Sequence, residues 1–462
     1  MTDVYEKHRW KVVAGALIIQ ISLGAVYIWS VFQTPLKLFF PDWTETQVTL
    51  PAKVVLAFFA FSVILGGRIQ DSLGPRKIAT CGGIILGVGL VLARFTEFFQ
   101  SPMSALIWLT LTFSVIGGIG IGTAYVCPVA TCVKWYPDKR GLITGLAVAG
   151  FGAGAFFFAP LAKGLISGVP YTLFHVPLFS LPKIGVFNTF MVLGGIFLTA
   201  VVTGAQWLSN PPAGWKPAGW HGTTVSQNIA SKRDFSPTEM FRTPSFWLLW
   251  LTYAFGCTAG LMVIMKASPI WQSLAIDRLP APIASDAFAA VSTSGATAVS
   301  ILAIFNAAGR ILWGKLSDVL GRRYTLSAIF FLCGAALLLL NQISGFTLYL
   351  VCVCTVGFCF GGYLSLYPAI TADFFGAKHI GVNYGWMFTA FGIGGIVGPY
   401  MAAATMRYLR DVPYQAVNSS GAVVEKIFEL GSYSTSLYTA AAMCLAAGVL
   451  ITQLRPQKAE NE

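Results

Sequence analysis

Long apolar stretches separated by short breaks of charge, glycine and proline run the whole length of the chain. Uncharged or nearly uncharged runs cover residues 12–36, 54–67, 78–93, 104–127, 141–166, 184–208, 244–265, 287–312, 324–343, 346–370, 381–406 and 434–454. A helix needs about 20 apolar residues to cross hydrocarbon about 30 Å thick, so the pattern predicts twelve membrane-spanning helices. Lys53 shortens the second run, but a lysine near a helix end extends its ammonium to the interface. The uncharged stretch between Arg323 and Asp373 is too long for one helix and is broken at Asn341, Gln342, Ser344 and Gly345. Lys7, Arg9 and Lys11 precede a first run too long for a cleavable signal peptide, which therefore reads as a spanning helix.

Composition agrees with that reading. Of 462 residues, 56% are hydrophobic and 10% charged, with a mean hydropathy of +0.70; a soluble domain carries about 25% charged residues, and a disordered chain has low hydrophobicity and high charge. The net charge of +12 does not indicate nucleic acid, because the basic residues are scattered between apolar runs rather than gathered on one face. Their uneven distribution between alternate loops instead favours both termini in the cytoplasm; a multi-pass protein of the cell (inner) membrane is expected. The nine cysteines lie inside apolar runs with no metal-ligand spacing and read as packing residues; no metal or cofactor is expected.

The longest polar stretch, Ser209 to Thr243, is rich in Pro, Gly, Ser, Lys and Arg and reads as a cytoplasmic linker. It divides the chain into an N-terminal six-helix half, 1–208, the linker, 209–243, and a C-terminal six-helix half, 244–462. The halves repeat. Gly67, Asp71 and Gly74 recur as Gly314, Asp318 and Gly321, with basic pairs following at Arg76 and Lys77 and, one place closer, at Arg322 and Arg323. Gly122, Pro128, Thr131, Gly141 and Gly145 recur as Gly362, Pro368, Thr371, Gly381 and Gly385. The expected fold is therefore an all-α membrane protein with two pseudo-symmetric halves in parallel. Asp71 with Arg76, and Asp318 with Arg322, form candidate latches of a cytoplasmic gate.

With this loop in both halves, the chain resembles the major facilitator superfamily, in which it joins the second and third spans of each half. Tyr27, Trp29, Ser30, Val31 and Phe32, the segment from Gly122 through Tyr125 to Trp135, Pro137, Asp138, Lys139, Arg140 and Gly141, and Glu239, Met240, Arg242, Thr243 and Pro244 before Phe246 and Trp247 resemble the oxalate/formate antiporter family. Asn383, Tyr384 and Gly385 also match it. The resemblance covers nearly the whole chain and implies secondary transport by alternating access.

One basic residue, Arg310, lies deep inside a run. It precedes Asp318 by a stretch of helix roughly 12 Å long, near the middle of the hydrocarbon, where an arginine costs at least about 2.5 kcal/mol. Its repeat counterpart in the first half is Val63, so the fold itself does not demand a cation there. A guanidinium fork suits a carboxylate held at two points, which makes a small organic anion the natural ligand. Two roles remain open: substrate contact, or a structural arginine bonded to a neighbouring helix. The family resemblance implies the first. Asn306, one turn earlier, is placed to orient Arg310 or to bond the substrate.

Aromatic residues supply the second element. Tyr125 also reaches the middle of its span and offers a ring wall and a hydroxyl. Tyr27, Phe360, Tyr363 and Phe388 are further candidates for the lining. Phe391 is the informative departure: the oxalate carrier has a lysine at this position, whereas here it is phenylalanine, with Phe151 as its repeat counterpart. One cation remains where a dicarboxylate calls for two. A monocarboxylate such as lactate, pyruvate or formate is therefore expected, with an oxalate/formate or other dicarboxylate antiporter as the alternative.

The acidic residues and His8, His175, His221 and His379 fall in loops or near span ends, so no proton relay is expected at mid-membrane. The related animal monocarboxylate carriers have an acid one turn before their arginine; Asn306 in its place does not titrate. Either a proton accompanies the carboxylate or one anion exchanges for another. A monomer in contact with membrane lipid suffices for both. No nucleophile, acid–base pair or nucleotide loop points to an enzyme.

Overall fold

The computed structural model describes residues 2–173, 176–212, 214–217, 233–343, 345–417 and 423–454. His175, His221, Ser344 and the middle of the expected linker lie outside the described residues. Twelve helices among the described residues are long and apolar enough to cross a membrane: His8–Phe39, Thr46–Leu73, Pro75–Phe98, Pro102–Trp135, Arg140–Ser167, Gly185–Gln206, Pro244–Ile276, Ser285–Leu320, Arg322–Leu340, Phe346–Phe375, Ile380–Ala404 and Ser434–Thr452. They are called spans 1 to 12. Each expected run falls on one of them.

Local chemistry sets the ends. Thr44 caps span 2, its hydroxyl accepting from the Gln47 N–H while the Gln47 side chain accepts from the Thr44 N–H. Spans 2 and 3 meet at Gly74 with φ +88°, and spans 8 and 9 meet at its repeat counterpart Gly321 with φ +91°. Both glycines occupy a backbone region costly for any other residue, which explains why the loop motif requires them. Span 1 tightens to a 3-10 turn at Gly24–Ile28, and span 4 widens to a π turn at Thr110–Ile116.

Two hairpins are added to this helical frame. Between spans 5 and 6, β1 (Tyr171–Leu173) pairs with β2 (Val176–Phe179); between spans 11 and 12, β3 (Arg407–Val417) pairs with β4 (Val423–Ser432), both antiparallel. The second hairpin buries Val412 and Leu430 with Ile276, at the end of span 7, and Ile283, in the segment between spans 7 and 8. Ile283 exchanges backbone hydrogen bonds with Pro413 and Gln415, and Tyr414 stacks on Phe288 with ring centroids 3.9 Å apart.

Packing divides the chain into two bodies. One contains Met1–Thr243 with Tyr367–Gly392; the other contains Pro244–Leu366 with Ile393–Arg455. The adjoining ends of spans 10 and 11 thus pack with spans 1 to 6. Glycines make this possible. A Cβ on Gly67 of span 2 would stand 2.1 Å from the Gly381 carbonyl oxygen of span 11, and a Cβ on Gly385 would stand 2.8 Å from Cα of Ile64. The backbones touch directly there.

Candidate functional site

In the first body, the glycine contact between spans 2 and 11 carries a set of polar bonds. Asp71 Oδ2 accepts from the Val382 N–H at 2.9 Å and its Oδ1 from the Gly381 N–H at 3.3 Å. These are orphan donors at the start of span 11, where a carboxylate also meets the positive end of the helix dipole. Lys134 Nζ lies 3.4 Å from Asp71 Oδ1. The expected Asp71–Arg76 pair is not formed. Span 3 begins with Pro75 where span 9 begins with Arg322, and one residue along a helix is a turn of about 100°. Arg76 is therefore exposed. In the second body the local pair does form, with Arg322 Nη1 2.7 Å from Asp318 Oδ1.

Two further contacts hold the same end of the first body. Arg140 Nη1, at the start of span 5, lies 2.6 Å from Oδ1 of buried Asp373 on span 10. Asp234, just before the short helix Pro237–Phe241, accepts from the Lys378 N–H at 3.1 Å, and the Asn383 amide donates to the Phe235 carbonyl at 2.9 Å. Ser236 and Glu239 close a capping box on that short helix. The Ser236 hydrogen bonds, followed by the nearby Arg233, hold the Glu239 carboxyl below its usual pKa.

Deeper in this body lies an aromatic cluster. Phe59 of span 2 meets Tyr125 of span 4 at 5.1 Å between ring centroids, Phe388 of span 11 at 5.3 Å and Phe151 of span 5 at 5.7 Å. Tyr125 meets Phe151 and Phe388 at 5.2 Å each, and Phe388 stacks on Phe391 at 4.7 Å. Tyr27, at the 3-10 turn of span 1, joins through Phe151 at 5.4 Å. A Cβ on Gly24 would lie 1.8 Å from the Phe151 carbonyl oxygen, so only glycine lets span 1 approach there. Tyr125, Tyr27, Phe388 and Phe391 are thus brought into one cluster. Phe59 and Phe151 were not among the expected lining residues, although the repeat offers a signal: the register that pairs Val63 with Arg310 pairs Phe59 with Asn306.

In the second body, Arg310 on span 8 is buried and its Nε donates to Asn306 Oδ1 at 3.2 Å. Arg9, Arg310 and Arg322 are the buried arginines among the described residues. Arg9 lies beside Glu6 and Asp138, and Arg322 beside Asp318. At Arg310 the Asn306 amide oxygen orients the guanidinium through Nε. Span 10 packs directly against this pair: a Cβ on Gly361 would stand 2.2 Å from the Asn306 carbonyl oxygen and 2.9 Å from the Arg310 nitrogen. Phe360 lies against Gly260 of span 7. Tyr363 stacks on Phe330 of span 9 at 4.6 Å and passes close to Gly256.

A profile of the Major Facilitator Superfamily matches residues 10–399 and 278–462. The chain is 30% identical to the oxalate:formate antiporter of Oxalobacter formigenes over 406 residues, covering 86% of this chain and 85% of that one. It is 28% identical to apicoplast pyruvate carrier 1 of Toxoplasma gondii over 360 residues, covering 70% of this chain and 63% of that one. A crystal structure of the superfamily transporter FucP in its outward conformation superposes with a TM-score of 0.62 at 16% identity, covering 97% of this chain and 100% of that one; it supports the fold alone. With both loop motifs in place, twelve helices and a profile match over nearly its full length, the chain belongs to the Major Facilitator Superfamily and is a multi-pass membrane transporter.

Proposed function

We propose that this transporter carries small monocarboxylates such as lactate, pyruvate or formate, with Arg310 gripping the carboxylate. The observation that carries the reading is the buried guanidinium whose Nε is oriented by a neutral amide, Asn306, at 3.2 Å. An ionisable residue inside a membrane span is costly and by default marks a substrate or ion pathway. The pyruvate carrier and the oxalate:formate antiporter among its relatives support a carboxylate substrate. Phe391 instead of a lysine favours a single carboxylate. Tyr125 is assigned as a second substrate contact, its ring in the aromatic cluster and its hydroxyl able to bond an anion.

Transport proceeds by alternating access between two six-helix halves joined by the 209–243 linker, with both termini in the cytoplasm and the protein in the cell (inner) membrane. The Asp71, Arg140–Asp373 and Asp318–Arg322 contacts then belong to the cytoplasmic gate. Charge balance is met by a proton carried with the anion or by exchange of one anion for another.

A second reading, oxalate/formate exchange, is favoured by the 30% identity to the oxalate:formate antiporter. Uptake of radiolabelled L-lactate into proteoliposomes, competed with pyruvate, formate, oxalate and glucose with and without a pH gradient, separates the two. Competition by pyruvate and formate but not by glucose supports the monocarboxylate reading; competition by oxalate alone overturns it.

A further inference from the structure

Arg9 and Lys11, both at the start of span 1, have opposite environments. Arg9 is buried, with Nε 2.9 Å from Glu6 Oε2, Nη1 3.6 Å from Asp138 Oδ1 and its guanidinium 4.5 Å from the centre of the Tyr136 ring. Its charge is met inside the protein. Lys11 is exposed and forms no ion pair among the described residues.

Lys11 lines an open cavity of about 360 Å³ at the ends of spans 1, 4 and 6. Tyr5 and His8 join it from the helix that leads into span 1, Trp135 from the end of span 4, and Ser209 and Asn210 from the chain just after span 6. The walls are tied to one another. His8 Nε2 and Ser209 Oγ share a hydrogen bond of 2.8 Å, and Trp135 Nε1 donates to the Ser209 carbonyl at 2.6 Å. The Trp135 ring meets the His8 ring at 5.4 Å and the Trp215 ring at 4.8 Å. A cation, an imidazole, a phenol and a carboxamide thus face one held space, and no acidic residue lines it among the described residues. Such groups suit an anion.

The level of the cavity narrows which anion. Trp10, beside Lys11, is 57% exposed, and Trp207, at the end of span 6, is 40% exposed. Indole rings exposed at span ends belong at the depth of lipid headgroups. A basic pocket between helices at that depth is suited to the headgroup of an anionic lipid.

We propose that this cavity is a binding site for the phosphate of an anionic phospholipid, with Lys11 as its charge contact and Tyr5, His8 and Asn210 as its hydrogen-bonding partners. Ser209 and Asn210 begin the segment that follows span 6, so a bound headgroup ties that segment to spans 1 and 4. The site is separate from Arg310 and independent of which substrate is carried.

The test is titration of the full chain, purified and delipidated in detergent, with dioctanoyl phosphatidylglycerol, dioctanoyl phosphatidylcholine and inorganic phosphate. Native mass spectrometry counts what is bound. Wild type is compared with Lys11→Gln and with Lys53→Gln, which removes an exposed lysine at the start of span 2 and controls for the loss of one charge. Thermal unfolding checks that both variants fold. Wild type should bind phosphatidylglycerol at least about tenfold more tightly than phosphatidylcholine, the worth of one charge-assisted hydrogen bond. Lys11→Gln should lose that preference and Lys53→Gln should keep it. Equal affinity of wild type for the two lipids overturns the proposal, as does a preference that survives in Lys11→Gln or falls equally in both variants. Inorganic phosphate that binds as tightly as the lipid and displaces it would assign the site to free phosphate and overturn the lipid. The assay contains no carboxylate substrate, so its failure leaves the monocarboxylate reading untouched.

Discussion

Asp71 and Val382 lie more than three hundred positions apart in the chain, and the carboxylate of one accepts the backbone N–H of the other at 2.9 Å. A loop motif that reads in sequence as a local turn is thus the cap of span 11. Removing a capping side chain costs about 1 kcal/mol. Asp71→Ala should therefore lower the unfolding temperature in detergent by a few degrees. Asp71→Asn should fall between, keeping an acceptor but losing the charge that suits a helix start. Equal unfolding of all three proteins would show that the cap contributes nothing.

The Arg140–Asp373 pair should behave as a unit. Removing one partner of a largely buried pair strands the other charge, at a cost of about 3 kcal/mol. Arg140→Met and Asp373→Leu should each be strongly destabilising, and the double variant less so than their sum. The thermal or denaturant midpoints of the four proteins give the coupling; additivity would mean the two groups act independently.

Gly361→Ala should damage the second body. Its new methyl meets backbone, not a flexible side chain, at 2.2 Å from Asn306 and 2.9 Å from Arg310. Span 8 and span 10 must separate, and overpacking of this kind costs about 1–3 kcal/mol. Lower stability together with a raised KM for the carboxylate is the expected outcome. An unchanged KM in a protein of normal stability would place Gly361 outside the elements that position Arg310.

Tyr125→Phe removes one oxygen and leaves the ring contacts to Phe59, Phe151 and Phe388 in place. Substrate affinity is expected to drop by roughly tenfold, the worth of one hydrogen bond to a charged group, with little change in thermal unfolding. Equal affinity would confine Tyr125 to packing.

The spans were legible because a membrane demands long apolar helices and tolerates charge chiefly near their ends, so Lys53 and the break at Asn341 and Gln342 could be placed without any structure. Gly74 and Gly321 were equally readable, since a positive φ leaves glycine as the residue of choice. The hairpins were not. Arg407–Val417 and Val423–Ser432 are mixed in polarity, and their apolar face is seated on Ile276 at the end of span 7 and Ile283 in the segment before span 8, far away in sequence. The partner of Asp71 was hidden for a related reason. A sequence displays Arg76 five positions away but conceals the backbone N–H groups of span 11, and the one-residue shift between the two copies turns Arg76 outward.

Among the site residues, Arg310 and Asn306 stood out because a charge in hydrocarbon is rare and a helix places residues four apart on one face. Phe59 did not, since phenylalanine is common throughout the chain and its ring is marked only by what surrounds it. The repeat register that sets Phe59 against Asn306 is the one signal for it in the sequence.

The most direct test of the account is equilibrium binding of radiolabelled pyruvate to the purified protein in detergent, comparing wild type with Arg310→Lys. Lysine preserves the charge but not the planar fork that meets both carboxylate oxygens. A normally folded Arg310→Lys protein should bind at least about tenfold more weakly, the loss of one charge-assisted hydrogen bond. Binding of undiminished affinity would contradict the assignment of Arg310 to the substrate.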